Sequence, residues 1–289
     1  MSRKRSNLEL RHYFTKGLGW GWFRQYQSQL VFNFLIEAAD FCKGGVILDA
    51  GAGHQRYKPF FENCLYISQE HPAGIKAKNM QQIQYDLISP IDKLIPLKNN
   101  SIEGVLSTSV IEHLRYPDRF CREAYRVLKP GGKLFINVPF AIFEHEAPFD
   151  YNRPTRYGLK SWLCDAGFKK MTIVPTSSMV ETVTSWFPVA VYSDIMKTGQ
   201  GPNFRETLAS GLSWWRKIAR LSRLFLACVM YVLARGIGLI VKFIADRGPY
   251  PKCNFPVGWI AVATKDGKIK KQLIGLSKEK FLELNSIKN

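Results

Sequence analysis

Short apolar segments alternate with amphipathic ones through the middle of the chain. The apolar segments predict strands, because each is a nearly continuous hydrophobic run of strand length. The clearest amphipathic segment is 117–129, which begins with Pro117 and is followed by a Pro-Gly-Gly sequence, as expected of a helix. Alternating strands and helices predict an α/β fold with a mostly parallel, doubly wound sheet. The predicted strands are 46–48, 64–68, 82–87, 104–110, 133–140, 169–175 and 257–267.

The same pattern divides the chain into four parts. Residues 1–43 predict a helical segment, and 44–176 predict the strand-and-helix core. Residues 177–252 are too long for a turn and have a helical pattern, so they predict an insertion before the last strand. Residues 253–289 then carry the last strand and a C-terminal tail.

Charge and cysteine content limit the classes of partner. The net charge of +18 predicts attraction to polyanions such as an anionic membrane surface, an acidic glycan or nucleic acid. The six cysteines form no C-x-x-C pair, so no metal site is predicted. The basic N-terminus has no apolar run after it, which argues against a secretory signal and favours a cytoplasmic chain with reduced thiols.

The sequence VILDAGAG places two glycines directly after the first buried strand, where ligands bind in this architecture. A glycine turn without a ligand is one interpretation. A nicotinamide fingerprint needs a third glycine where Arg56 stands, and the P-loop pattern is absent. Asp49, directly before the turn, would repel a pyrophosphate but attract a cation. S-Adenosylmethionine is such a cation, and Glu70 lies where an acid can bind both ribose hydroxyls, with Asp86-Leu87 placed for the adenine edge.

Several motifs in order resemble the class I S-adenosylmethionine-dependent methyltransferases. They are LDAGAG, YISQE, YDL, IPLKNNSIEGVLSTSVIEHL, REAYRVLKPGGKLFINVP and YGLKSWLCDAGF, within 46–168. The resemblance implies a Rossmann-like sheet of seven strands, the last of which is antiparallel and inserted beside the sixth. It also implies cofactor contacts from Asp49, Gly51, Gly53, Glu70, Asp86 and Leu87, with Ser109 near the methionine end.

Two histidines near these motifs have open roles. His54 stands where the family often has a small residue, so it either crowds or contacts the cofactor carboxylate. His113 belongs to a Glu-His pair that is frequent in the family. It is either part of the site or a residue that caps and packs the turn after the fourth strand.

The segment after the fifth strand, 139–158, is expected to face the methyl group, because it leaves the carboxyl edge of the sheet. His145 is the candidate base, since an imidazole titrates near neutral pH. Asp150 either orients His145 or acts alone. The alternative is a solvated loop in which Asp150 and Arg153 form a structural ion pair. HEAPFDYNRPTRYGL is similar to an H-x-x-P-x-D-Y-x-R-x-T pattern of bacterial methyltransferases that accompany cell-surface glycan synthesis.

The insertion has an apolar helical face and a basic one. Trp214, Ile218, Leu221 and Phe225 recur at helical spacing, and between Gly201 and Lys252 nine Lys/Arg stand against two Asp/Glu. A transmembrane helix is disfavoured, because the longest uncharged run between Gly201 and Lys252 has only eleven residues, from Leu224 to Ala234. An interfacial or re-entrant hairpin on an anionic membrane is one interpretation, and a dimer interface or lid is another.

These observations predict an enzyme that methylates a hydroxyl of a small or lipid-linked acceptor, with a sugar as the preferred class. The expected location is the cytoplasm, with peripheral binding at the inner face of the membrane. Three alternatives stay open: an RNA methyltransferase, a quinone or other lipid-ring methyltransferase, and a scaffold that binds S-adenosylmethionine without chemistry.

Overall fold

The computed structural model describes residues 25–179, 182–183, scattered positions between 214 and 240, 253–269 and 277–287. The residues predicted to be helical before position 25 lie outside this part of the chain, as does most of the insertion. The chain divides into two compact units. The first comprises Met1–Thr176 and Gly258–Asn289, and the second comprises Ser177–Val257.

The first unit is built on a seven-stranded sheet in the order β3-β2-β1-β4-β5-β7-β6. Neighbouring strands from β3 to β5 pair in parallel, and β7 is antiparallel to both β5 and β6. The sheet prediction is therefore confirmed, including the antiparallel last strand beside the sixth. The strands are β1 Val46–Ala50, β2 Leu65–Glu70, β3 Leu87–Ile88, β4 Ile102–Thr108, β5 Leu128–Pro139, β6 Lys170–Pro175 and β7 Gly258–Thr264.

Helices cover both faces of this sheet. They are α1 Gln25–Cys42, α2 Pro72–Ala77, α3 Pro117–Val127, α4 Arg156–Asp165 and a C-terminal helix Lys278–Asn285, with 3₁₀ turns at Lys58–Phe61 and Ile111–His113. On one face α1 packs Leu35 and Ala38 into a cluster with Phe135 of β5. On the other, α3 packs Phe120 against neighbours that include Val105 of β4. Burial on both faces explains the continuous apolar runs of the central strands.

Two predicted elements differ from the structure. The segment 82–87 is paired only at Leu87, although its apolar residues Tyr85 and Leu87 are buried and the glutamines Gln82 and Gln84 are exposed. The helix predicted from Tyr57 is a single 3₁₀ turn, Lys58–Phe61, with a proline in its first turn. The element stays short because strand β2 begins soon after it, at Leu65.

The second unit is described at only a few positions, all of them helical between 214 and 240. Trp214, Ile218, Leu221 and Phe225 are all exposed, from 38% for Leu221 to 72% for Phe225. Within the described residues, no helix combines the length and the hydrophobicity that crossing a bilayer requires.

Candidate active site

The turn after β1 is shaped by two glycines in the left-handed region. Gly51 has φ +82°, and a Cβ there would lie 2.5 Å from a methyl carbon of Val110. Gly53 has φ +50°, and a Cβ there would meet nothing within 4 Å. The amides of Gly51 and Ala52 both donate to the carbonyl of Gln69 at the end of β2. The turn is therefore held against β2, and its open side at Gly53 faces free space.

Glu70 lies at the tip of β2 and is bound to this turn. One of its carboxylate oxygens accepts from the Gly53 amide at 2.7 Å, and the other accepts from the His71 amide at 2.8 Å. The residue is 8% exposed. A carboxylate has about four acceptor positions, so two backbone bonds leave it able to accept from ribose hydroxyls.

Asp49, the last polar residue of β1, is buried beneath the turn. One carboxylate oxygen accepts from the Tyr66 hydroxyl at 2.6 Å, and the other has no hydrogen-bond partner. Desolvation raises the pKa of Asp49 to about 7, against the lowering effect of the Tyr66 hydrogen bond and with a further raising effect from Glu70. Burial therefore favours the neutral form of the Asp49 carboxyl group more than water would.

A cavity of about 1010 Å³ opens beside this turn. Four of the predicted cofactor residues line it: Gly51, Gly53, Glu70 and Ser109. Ser109 directly follows β4 and has φ +54°, so its side chain leaves the strand direction at the tip of the sheet. The cavity also reaches His113, Glu146 and Phe149, and it therefore joins the glycine turn to the loop after β5.

Asp86, Leu87 and Asp49 are not among the cavity's lining residues. The Asp86 carboxylate accepts from the Ser68 amide and hydroxyl, both at 2.8 Å, and forms an ion pair with Lys278 at 2.9 Å. The residues that line the cavity near β3 are Pro90, Ile91, Asp92 and Lys93. The direct adenine contact expected of Asp86 and Leu87 stays a prediction, and 90–93 is a segment that the sequence motifs did not reveal.

The loop after β5 brings together a group of ionisable side chains. Nε2 of His145 lies 4.0 Å from the carboxylate of Glu112, and Nε2 of His113 lies 3.8 Å from it. Asp150 accepts from the His145 amide at 2.8 Å and pairs with Arg153 at 2.6 Å. Both alternatives for Asp150 are thus visible: the ion pair with Arg153 exists, and Asp150 also holds the backbone of His145.

Burial and hydrogen bonding set the charge states of this group. Desolvation raises the pKa of Asp150, but hydrogen bonds from Arg153 and the His145 amide outweigh it, so the pKa lies below its usual value. Glu112 is fully buried, and neither of its carboxylate oxygens accepts a hydrogen bond of normal geometry. Desolvation accordingly raises the pKa of Glu112 to about 8. Sequence reasoning missed Glu112 as a site residue, although its place beside His113 in VIEHL was the available signal.

The two histidines of open role have different environments. His113 contacts the loop after β5, since its Nδ1 lies 2.6 Å from the carbonyl oxygen of Phe149 and its ring meets that of His145 edge to face. His54 is exposed on the glycine turn. His113 therefore lines the cavity and also joins the turn after β4 to the loop after β5, which fits both of its interpretations.

Comparisons with known proteins agree with this geometry. Residues 48–136 match the family described as Methyltransferase domain. The mouse mitochondrial ubiquinone biosynthesis O-methyltransferase is 30% identical over 101 residues, which cover 34% of this chain and 26% of that protein. The arsenite methyltransferase of Halobacterium salinarum is 28% identical over 102 residues, 32% of this chain and 26% of that protein.

A crystal structure of an S-adenosylmethionine-dependent methyltransferase from Archaeoglobus fulgidus has a TM-score of 0.47 and 16% identity, covering 82% of this chain and 94% of that one. The chain spans about a quarter of the length of the curated relatives it matches. The matched segment runs from β1 into β5 and contains the glycine turn, Glu70 and Ser109. Residues 48–136 thus match a methyltransferase domain, a kind of domain that uses S-adenosylmethionine as its cofactor.

Proposed function

We propose that the protein transfers the methyl group of S-adenosylmethionine to a hydroxyl oxygen of a sugar or a lipid-linked small acceptor. The observation that supports this proposal most is the cavity, in which the predicted cofactor residues Gly53 and Glu70 share one space with His113 and the loop after β5. Its volume of about 1010 Å³ is at the upper end of ordinary ligand sites, which favours room for an acceptor beside the cofactor.

Methyl transfer from a sulfonium is an in-line displacement, so positioning supplies much of the rate, and a hydroxyl acceptor also has a proton to lose. His145 is the proposed base, since its side chain is 27% exposed and the next residue, Glu146, lines the cavity, although His145 and Asp150 are not among the lining residues. Asp150 stays ionised beside Nδ1 of His145, at 3.4 Å, and is proposed to orient the ring rather than to take the proton.

The proposed site of action is the inner face of an anionic membrane. The described positions between 214 and 240 include exposed Phe225, Leu226, Val232 and Leu233, each at least 55% exposed. The segment from Gly201 to Lys252 carries an excess of seven positive charges in sequence. Apolar side chains for the acyl boundary and basic ones for anionic headgroups are the features of an interfacial helix.

Cosedimentation with vesicles tests this location. The full chain is expected to pellet with phosphatidylglycerol-containing vesicles at low salt and less so with phosphatidylcholine alone, because the attraction is partly electrostatic. Phe225→Ser should reduce binding, whereas Leu284→Ser, an exposed leucine of the C-terminal helix, serves as the matched control. A chain that stays in the supernatant with both vesicles at low salt contradicts the membrane proposal.

Transfer of a radiolabelled methyl group tests the reaction itself. The purified chain, labelled S-adenosylmethionine and a bacterial envelope extract should yield label in a lipid-extractable or glycan fraction. The linkage should survive mild base, because an ether is stable where a carboxyl methyl ester hydrolyses. Label in RNA would replace the proposal with the RNA alternative, and cofactor binding without any transfer would favour the scaffold.

A second candidate acceptor is the phenolic hydroxyl of a prenylated ring. The supporting observation is the sequence match to relatives named ubiquinone biosynthesis O-methyltransferase. Such an acceptor would use the same exposed apolar helical face to remain at a membrane. A prenylated catechol and a lipid-linked sugar offered separately, under identical conditions, distinguish the two acceptors by which one gains label.

A further inference from the structure

We infer that Glu112, His113 and His145 bind a divalent first-row transition-metal ion. The three residues come from two places in the chain, the 3₁₀ turn after β4 and the loop after β5. One ligand atom from each lies within 4.8 Å of the others. The closest approaches are 3.8 Å from Glu112 to His113 and 4.0 Å from Glu112 to His145. Ligands about 2.1 Å from a tetrahedral ion are roughly 3.4 Å apart, so small side-chain shifts complete the site.

The buried carboxylate of Glu112 is a second, independent indication that a cation binds here. Its side chain is 0% exposed, and both carboxylate oxygens lack a hydrogen-bond partner. A buried carboxylate without a partner costs several kcal/mol in general, and native proteins rarely keep one without a reason. The nearest cationic side chain on the neighbouring loop, Arg153, is already paired with Asp150. A metal ion between the two histidines would give Glu112 its partner.

His113 is already arranged as a metal ligand. Its Nδ1 lies 2.6 Å from the carbonyl oxygen of Phe149, and a carbonyl only accepts, so Nδ1 carries the proton. The lone pair is therefore on Nε2, the atom that faces Glu112. A ring fixed by a second hydrogen bond in this way is usual for metal-binding histidines.

His145 has neighbours of both kinds at Nδ1. Arg153 Nη2, which can only donate, lies 3.2 Å away, and the Phe143 carbonyl and the Asp150 carboxylate, which only accept, each lie 3.4 Å away. An ion at Nε2 requires the tautomer with the proton on Nδ1, which these two acceptors would hold. Asp150 then has the place of the carboxylate that supports a metal-bound histidine.

The backbone holds these ligands close before any ion arrives. The carbonyl oxygen of Glu112 accepts from the amides of Tyr151 at 2.8 Å and Asn152 at 3.1 Å. The Asn152 side chain also donates to the Leu114 carbonyl at 2.6 Å. These three bonds fasten the loop that carries His145 to the turn that carries Glu112 and His113. A pre-organised pair of segments reduces the ordering cost of binding.

Two imidazoles and one carboxylate favour Zn²⁺, Co²⁺ or Fe²⁺ over Mg²⁺, which prefers oxygen ligands. Three protein ligands also leave coordination positions open, as in catalytic rather than structural sites. Because His113 lines the cofactor cavity, these positions would face the acceptor. The ion would then bind the acceptor hydroxyl and lower its pKa, a role that rests on the proposed function.

In that reaction the O–H proton passes to the exposed carboxylate of Glu146, 3.6 Å from His113 Nε2, and on to water. The oxygen forms a bond to the methyl carbon while the carbon–sulfur bond breaks, and the electron pair stays on sulfur as a neutral thioether. His145 then acts by holding the ion. A chelator distinguishes the two roles proposed for His145. If His145 acts alone as a base, methyl transfer should continue after chelation. If it acts as a metal ligand, methyl transfer should stop.

Metal titration of the full chain tests the site without any acceptor. After treatment with EDTA and dialysis, ZnCl₂ followed by calorimetry should bind one ion per chain. Glu112→Gln and His145→Ala should each weaken binding on the order of a hundredfold. His54→Ala, which removes an exposed histidine elsewhere, is the matched control and should bind as wild type.

Two controls are needed. Thermal unfolding shows whether each variant is folded, and the spectrum of bound Co²⁺ shows whether the metal is held by cysteine thiolates instead. Without metal, the Glu112→Gln variant should unfold at the same temperature as wild type or higher, because it loses a buried carboxylate that has no partner. Added Zn²⁺ should raise the unfolding temperature of wild type but not that of the variant. CoCl₂ should give visible d–d bands without a near-ultraviolet thiolate charge-transfer band. Binding that the Glu112→Gln and His145→Ala variants leave unchanged, a thiolate spectrum, or no binding to wild type would each overturn the site.

Discussion

Replacing Glu70 with glutamine tests the cofactor site most directly. In the structure both oxygens of Glu70 accept from backbone amides, Gly53 at 2.7 Å and His71 at 2.8 Å. A glutamine keeps one oxygen, and its NH₂ group would face one of these amides as a second donor. At least one charge-assisted hydrogen bond within the turn is therefore lost, together with an acceptor for one ribose hydroxyl.

Each hydrogen bond to a charged group contributes about 1.5–3 kcal/mol, but only the ribose bond forms on binding, since the bond within the turn is lost from the free protein as well. Because about 1.4 kcal/mol corresponds to a tenfold change, Kd for S-adenosylmethionine should rise by roughly tenfold to a hundredfold. The cost to folding should be smaller, since Glu70 faces the cavity and water can satisfy a released amide.

Isothermal titration calorimetry of the Glu70→Gln variant with S-adenosylmethionine measures this change in Kd. The control is Glu283→Gln, which removes an exposed glutamate of the C-terminal helix that pairs with the exposed Lys280. Circular dichroism should show both variants folded. A folded Glu70→Gln protein whose Kd stays within threefold of wild type would refute the assignment of Glu70 to the cofactor.

Three further perturbations address the turn, a buried ion pair and pH. Gly51→Ala places a Cβ 2.5 Å from Val110 at φ +82°, so urea unfolding should show a loss of about 2–3 kcal/mol, which Val110→Ala should restore only in part because the backbone strain remains. Glu103→Gln removes the charge that pairs with Lys129 at 2.6 Å. Lys129 keeps 19% exposure, so the loss should be about 2 kcal/mol in thermal unfolding rather than the ~3–5 of a fully buried pair; an unchanged midpoint would contradict this. The pKa of Asp49 is raised to about 7 in the folded protein, so the native state holds an extra proton above about pH 4, and the free energy of unfolding should fall as pH rises toward 7. Asp49→Asn should flatten that slope, and a slope identical to wild type would argue against a protonated Asp49.

The core strands were predictable because they are buried on both faces. Val105 and Leu106 lie next to each other in β4 yet pack on opposite sides of the sheet, so the whole strand is apolar in sequence. The edge strand β3 was harder, since its approach carries exposed glutamines and only two residues pair. The hydrophobic pattern of a sequence predicts which residues are buried. It predicts which residues pair with a neighbouring strand only in central strands, where both faces are buried.

The site was predictable only where a motif fixes the backbone. Gly51, Gly53, Glu70 and Ser109 follow strand tips, and the structure brings them to one cavity. Asp86 has the same kind of position, but its carboxylate pairs with Lys278, a residue nearly two hundred positions later in the chain. Glu112 shows the same limit, because its lack of a partner arises from burial that local sequence does not encode.

The pairing of β6 with β7 has a consequence for the history of this chain. Pro175 and Trp259 are register partners, so residues 177–257 are, in topological terms, an enlarged hairpin loop between neighbouring strands. The entropy of closing such a loop grows only with the logarithm of its length, and the strand register is independent of its content. Insertions, deletions and replacements of sequence within this loop are therefore expected to leave the pairing of the sheet strands unchanged. Lineages that inherit the same core are therefore expected to conserve the cofactor end and to diverge most in this one loop.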